Sequence, residues 1–253
     1  MRIWGIVILL SGMGIQSKAI VGGQDLPRQW NRLSPVVRIA SAQPETPISV
    51  CSGVMISRKA ILTAAHCFYE MKNVRRLSIE HLESGVIHKS KFKTFVKPGY
   101  QAQFHDHATL VNNGYDLGII VLSGEVTFSY SEFEMASREL SLNSLVPYIW
   151  LVSAGHHKPH YKSASSLPIA HFVLRAFPQK EIFYQYQSAL AKAGPCEGDS
   201  GGGIFAWMEQ RWVLIGIQST KSAVPSCADV ENRGFFVPVF TNAEWIRSIL
   251  NKI

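Results

Sequence analysis

Short apolar runs, broken by polar and turn-forming residues, dominate this chain. Val36–Ile39, Gly53–Ile56, Leu117–Leu122, Ile149–Ser153, Trp212–Gln218 and Phe235–Phe240 are four to seven residues long and rich in β-branched and aromatic side chains. Runs of that length between turn signals predict the strands of an all-β sandwich or barrel. Periodicity alone does not separate a buried strand from a short buried helix. One helix is predicted at the C-terminus. Thr241-Asn242-Ala243-Glu244 has the form of a capping box, in which Thr241 and Glu244 satisfy each other's free backbone donors. Trp245, Ile249 and Leu250 then share one face. No repeat or low-complexity linker interrupts the pattern.

The N-terminus departs from it. Arg2 precedes a largely apolar stretch from Ile3 to Ile15, and Ser17-Lys18-Ala19 is a small-x-small cleavage sequence. Residues 1–19 therefore read as a signal peptide. The apolar run is short for a membrane span, and no later run is long enough, so no stable membrane insertion is expected after its removal. The product is expected to be secreted or periplasmic. The 253 residues suffice for one large all-β unit or two ordinary domains, with a core that needs no disulfides to form. An apolar content of 47% argues against disorder.

Charge changes the picture little. The formal balance is +7, and removal of Arg2 and Lys18 with the leader lowers it from 25 − 18 = +7 to 23 − 18 = +5. Its densest stretch is Lys89, Lys91, Lys93 and Lys97; the first three alternate, as on one solvated face of a strand. No nucleic-acid partner is expected. Export implies an oxidising compartment in which Cys51, Cys67, Cys196 and Cys227 can pair, and three pairings are open. No C-x-x-C spacing supports a zinc site, and His156, His157 and His160 read as a surface loop without framing carboxylates or cysteines. Nothing requires a metal or an organic cofactor.

The chemistry concentrates around Cys196-Glu197-Gly198-Asp199-Ser200-Gly201-Gly202. Gly198 to Gly202 also fits the G-x-S-x-G elbow of α/β-hydrolases, in which the histidine follows the serine. All nine histidines precede Ser200, which excludes that fold for a nucleophilic Ser200. An Asp-His-Ser order would require Asp25, whose surroundings read as a surface turn. The order His-Asp-Ser remains. His66 sits among small residues in Thr63-Ala64-Ala65-His66-Cys67, which leaves room for it to face a cleft. Asp116 opens the apolar run Leu117–Leu122, where a carboxylate can be buried yet hydrogen-bonded, as an imidazole-orienting group must be. Asp106, between His105 and His107, lies in a polar stretch and is the weaker candidate.

These motifs resemble the trypsin/chymotrypsin family of serine peptidases. The matching pieces are Ile20-Val21-Gly22-Gly23, Thr63-Ala64-Ala65-His66-Cys67, Asp116-Leu117-Gly118-Ile119 and Gly198-Asp199-Ser200-Gly201-Gly202, in the family's order. The resemblance implies an all-β fold of two antiparallel β-barrels with the active site between them. Residues 20–133 would form the first barrel, with His66 and Asp116. Residues 134–253 would form the second, with Ser200 and the C-terminal helix. It implies a secreted serine endopeptidase that acts on protein or peptide substrates, with Ser200 as nucleophile, His66 as general base and Asp116 as its orienter. The Gly198 and Ser200 amides would form the oxyanion hole, and the disulfides would be Cys51–Cys67 and Cys196–Cys227. A further pair common in the family is missing. A monomer is expected.

The resemblance also implies a switch, in which a freed Ile20 amino group pairs with Asp199. No recognisable propeptide separates Ala19 from Ile20, so signal-peptide removal would itself expose Ile20. The specificity pocket maps onto Gly194, Ser219, Thr220, Lys221 and Gly234. Glycine at 194 stands where trypsin-like members carry aspartate, so a preference for Arg or Lys is not expected. Thr220 and Lys221 depart from the usual Ser-Trp-Gly, and Glu197 stands at the rim. A catalytically inactive homologue that serves as a binding module is the alternative to an active endopeptidase.

Overall fold

The computed structural model describes residues 20–25, 34–42, 51–81, 83–100, 115–137, 149–155, 165–176 and 182–253. The leader, Asp106 with its flanking histidines, and His156, His157 and His160 lie outside these residues.

Two curled sheets make up the protein, antiparallel except for one short pairing. The first contains β2 (Val36–Ser41), β3 (Cys51–Ser57), β4 (Ala60–Thr63), β5 (Leu77–His81), β6 (Val86–Ser90), β7 (Phe92–Val96) and β8 (Gly118–Leu122). Their order is β6-β5-β2-β3-β4-β8-β7. Strands β6 and β7 stand at opposite ends of that order, yet only Lys91 separates them, so the sheet has to curl until its two edges meet. The second sheet runs from β1 (Gln24–Asp25) through β11 (Ser165–Ala176), β10 (Ile149–Ser153), β13 (Gly203–Met208), β14 (Arg211–Lys221) and β15 (Arg233–Pro238) to β12 (Ile182–Ser188). A further pairing of β11 with β12 closes it into a ring. The two-residue β9 (Glu134–Met135) adds to β14 in parallel. A short helix, α1 (Cys67–Glu70), follows β4, and α2 (Ala243–Leu250) ends the chain. This is the all-β, chymotrypsin-like architecture that the sequence motifs imply.

The continuity of the apolar runs has a physical cause. Successive strand residues point to opposite faces, and here both faces are buried. Val37, Ile39 and Ile120 fill the inside of the first sheet. Their neighbours Val36 and Ile119 join a second cluster with Val152, Phe205, Leu214 and Val237 from the other sheet. Leu151, Tyr184, Tyr186, Ile204 and Phe236 fill the inside of the second sheet. One core thus lies within each sheet and a third holds the two together, so strict polar alternation cannot appear.

Three expectations need correction. Lys89, Lys91 and Lys93 are all exposed, but they do not share a strand: Lys89 lies in β6, Lys93 lies in β7, and Lys91 is the corner between them. Phe240 is not in a strand; it begins a 3-10 turn, Phe240–Asn242, that leads into α2. The capping box is not formed. Asn242 occupies the N-cap, so Glu244 falls one position too early to reach back, and the Thr241 hydroxyl donates to the Pro238 carbonyl instead (3.2 Å). Ile246 and Ile249 are the most buried residues of the helix, with Trp245 and Leu250 half-buried beside them.

Candidate active site

His66 follows β4 and caps α1, and Asp116 lies two residues before β8, the strand that pairs with β4. Register therefore brings the two residues together. The Asp116 carboxylate accepts from the His66 backbone N–H through Oδ1 and meets His66 Nδ1 through Oδ2, both at 2.8 Å. The Ser219 hydroxyl donates to Oδ2 as well (2.5 Å). A carboxylate only accepts, so the imidazole carries its proton on Nδ1, and Nε2 is the lone-pair nitrogen. Asp116 is 1% exposed. Burial alone would raise its pKa, but the His66 charge and the bonds from His66 and Ser219 outweigh that, leaving the carboxyl below its ordinary value. The Cys51–Cys67 disulfide ties the residue after His66 back to the start of β3.

Ser200 lies on the tight loop between the Cys196–Cys227 disulfide and β13. Its carbonyl accepts from Ser52 N (2.8 Å), and its hydroxyl donates to the Ser219 carbonyl (3.3 Å). Ser219 thus touches both Ser200 and Asp116. No hydrogen bond joins Ser200 to His66 in this arrangement. Gly198 takes a left-handed conformation (φ +86°), as does Gly201 (φ +84°). A side chain at 201 would collide with the Ser52 carbonyl and Thr63 Oγ1. Among the described residues, the Gly198 and Ser200 amides have no protein acceptor.

The loop is anchored by residues that local sequence did not mark. The Ser52 hydroxyl donates to the Gly198 carbonyl (2.9 Å) and accepts from Ala154 N and Gly155 N (2.8 and 3.2 Å). Asp199 is fully buried; Ser153 Oγ donates to its Oδ1 (2.5 Å) and Cys196 N to its Oδ2 (2.7 Å). Burial pushes the Asp199 carboxyl up to about 7, with those two bonds offsetting part of the rise. Ile20 is also fully buried, packed with Ala193 and Tyr186 in the core of the second sheet, and Val21 bridges to Gly194.

A cleft of about 270 Å³ opens beside Ser200. Of the expected pocket residues, Ser219, Thr220 and Lys221 line it, with exposed Glu197 at its edge. Gly194 and Gly234 do not line it: Asn232 packs against the first and Tyr186 against the second.

The family model for trypsin matches residues 20–246. The chain belongs to the trypsin family. It is similar to coagulation factor XI of Bos taurus, with 25% identity over 245 residues, 92% of this chain and 38% of that protein. It is also similar to serine protease 28 of Mus musculus, with 24% identity over 219 residues, 79% of each chain. The chain spans well under half the length of the first of these relatives. The trypsin-family match begins at Ile20 and covers all four sequence motifs.

Proposed function

We propose that this chain is a secreted serine endopeptidase. The observation that carries the reading is the buried Asp116 carboxylate held 2.8 Å from His66 Nδ1 and linked to Ser200 through Ser219, whose hydroxyl donates to Asp116 and whose carbonyl accepts from the Ser200 hydroxyl. A serine hydroxyl is a weak nucleophile near neutral pH and needs a base beside it. Rotation of the Ser200 side chain away from its long bond to Ser219 turns Oγ toward His66, the kind of tightening expected when substrate binds. Oγ then attacks the peptide carbonyl carbon while His66 Nε2 takes the hydroxyl proton. Collapse of the tetrahedral intermediate expels the amine, which receives that proton. Water repeats the two steps on the acyl-enzyme and regenerates Ser200. Asp116 fixes the tautomer and stabilises the imidazolium. The Gly198 and Ser200 amides receive the oxyanion; one such donor is typically worth roughly 3 kcal/mol in the transition state.

In this reading residues 1–19 are a signal peptide, residues 20–133 and 134–253 are the two barrels, and cleavage after Ala19 frees the Ile20 amine to pair with Asp199. Fluorophosphonate labelling of the secreted, N-terminally sequenced protein tests it. Labelling that disappears in Ser200→Ala is expected. A folded, mature protein that takes no label would identify the chain as a binding homologue instead.

A further inference from the structure

The space behind the Ser200 cleft is filled. Gln218 forms its floor: the side chain is 2% exposed, accepts from the Tyr186 hydroxyl (2.6 Å) and donates to the Thr220 carbonyl (2.8 Å). Behind Gln218, the Tyr186 ring is fully buried and lies so close to Gly234 that even a β-carbon there would collide with it. On the other side Asn232, also buried, packs over Gly194 and donates to the Pro195 and Cys227 carbonyls (2.9 and 2.8 Å). The two glycines that would leave depth for a long side chain are therefore each capped by a neighbour.

A side chain entering from Ser200 reaches Gln218 and stops. Pushing Gln218 aside would leave the buried Tyr186 hydroxyl unsatisfied. Among the described residues that line the cleft, the one carboxylate is that of exposed Glu197, so a cationic head reaching Gln218 meets an amide. An aromatic ring would have to occupy the volume of Tyr186. We infer that Gln218, Tyr186 and Asn232 close the primary specificity subsite, so that it takes a small uncharged side chain (Ala, Ser or Gly) before the scissile bond. One of the three, Tyr186, comes from a strand, β12, that does not itself line the cleft.

This inference rests on the proteolytic reading of Ser200, and the test keeps the two apart by reading binding without turnover. The mature Ser200→Ala protein is titrated by NMR with acetyl-Pro-Ala-Pro-X acids, where X is Ala, Ser, Phe or Arg. Ala and Ser are expected to bind at least about tenfold more tightly than Phe and Arg, the kind of discrimination a pocket's size can give. Adding Tyr186→Gly should raise Phe affinity at least severalfold; Gln218→Ala is the second route should the first variant not fold. Equal binding of all four peptides, weak binding included, overturns the inference. So does Phe or Arg as the best ligand. Loss of fluorophosphonate labelling in the unmutated protein, by contrast, bears only on the catalytic reading.

Discussion

The carboxylate of Asp199 is fully buried with two hydrogen bonds and, among the described residues, no cation beside it, and burial pushes its pKa up to about 7 from 3.8. A group whose folded pKa is raised in this way binds its proton more tightly in the folded chain. Stability therefore falls as pH rises from about 4 to about 7, and is flat above. A shift of about 3 units corresponds to about 4 kcal/mol. The structure holds Ile20 in peptide linkage to Ala19. Exposing the Ile20 amine should place a cation against Asp199, hold its carboxylate ionised, and remove that decline. The comparison needs two forms on the Ser200→Ala background, one beginning at Ile20 and one retaining Ala19, unfolded by urea between pH 5 and pH 10. At pH 7 the Ile20 form is expected to be more stable by about 2–4 kcal/mol, with the gap closing toward pH 5. Above the raised pKa of the paired amine the gap should close again as the cation is lost. Parallel stability curves for the two forms would refute the pairing.

Asp116→Asn should leave the fold intact while lowering kcat by about 10⁴, because the amide no longer enforces the imidazole tautomer; steady-state kinetics beside near-ultraviolet circular dichroism separates the two effects. Activity should fall in acid as the depressed Asp116 carboxyl takes up a proton and ceases to orient His66, and a pH–rate profile checks this. Gly201→Ala imposes both a positive φ and a clash with the Ser52 carbonyl, so a loss of at least about 2 kcal/mol is expected in urea titration. Replacing Cys51 and Cys67 by alanine opens a loop with a sequence separation of 16 and should cost about 3 kcal/mol, again read by urea titration.

Much of the fold was legible because several strands, among them β2, β3, β4, β8 and β10, are short and largely buried on both faces, and local composition reports that. Asp116 was readable over Asp106 for a similar reason: it opens a buried strand, and a carboxylate there has to be hydrogen-bonded. The Cys51–Cys67 and Cys196–Cys227 disulfides follow the family pattern. What was not legible comes from contacts across long sequence separations. Nothing around Ser52 announces a bond to Gly198, 146 residues away. Nothing in the local sequence marks Tyr186 or Asn232; the register of β12 against β15 sets Tyr186 opposite Gly234, and only the folded chain brings Asn232 over Gly194. The lysine stripe and the capping box failed locally, the first because the curling sheet turns a corner at Lys91, the second because a 3-10 turn shifts the helix start.

Ser52 belongs to a strand of one sheet, yet its amide, hydroxyl and carbonyl fasten the Ser200 carbonyl, the Gly198 carbonyl and the Thr63 hydroxyl. The turn bearing Ser200 is consequently shaped by a strand of the opposite sheet. During folding, a nascent second sheet would own the serine without the geometry that arms it. Docking of the two sheets is then the moment at which the Ser200 loop and its neighbours acquire their final form.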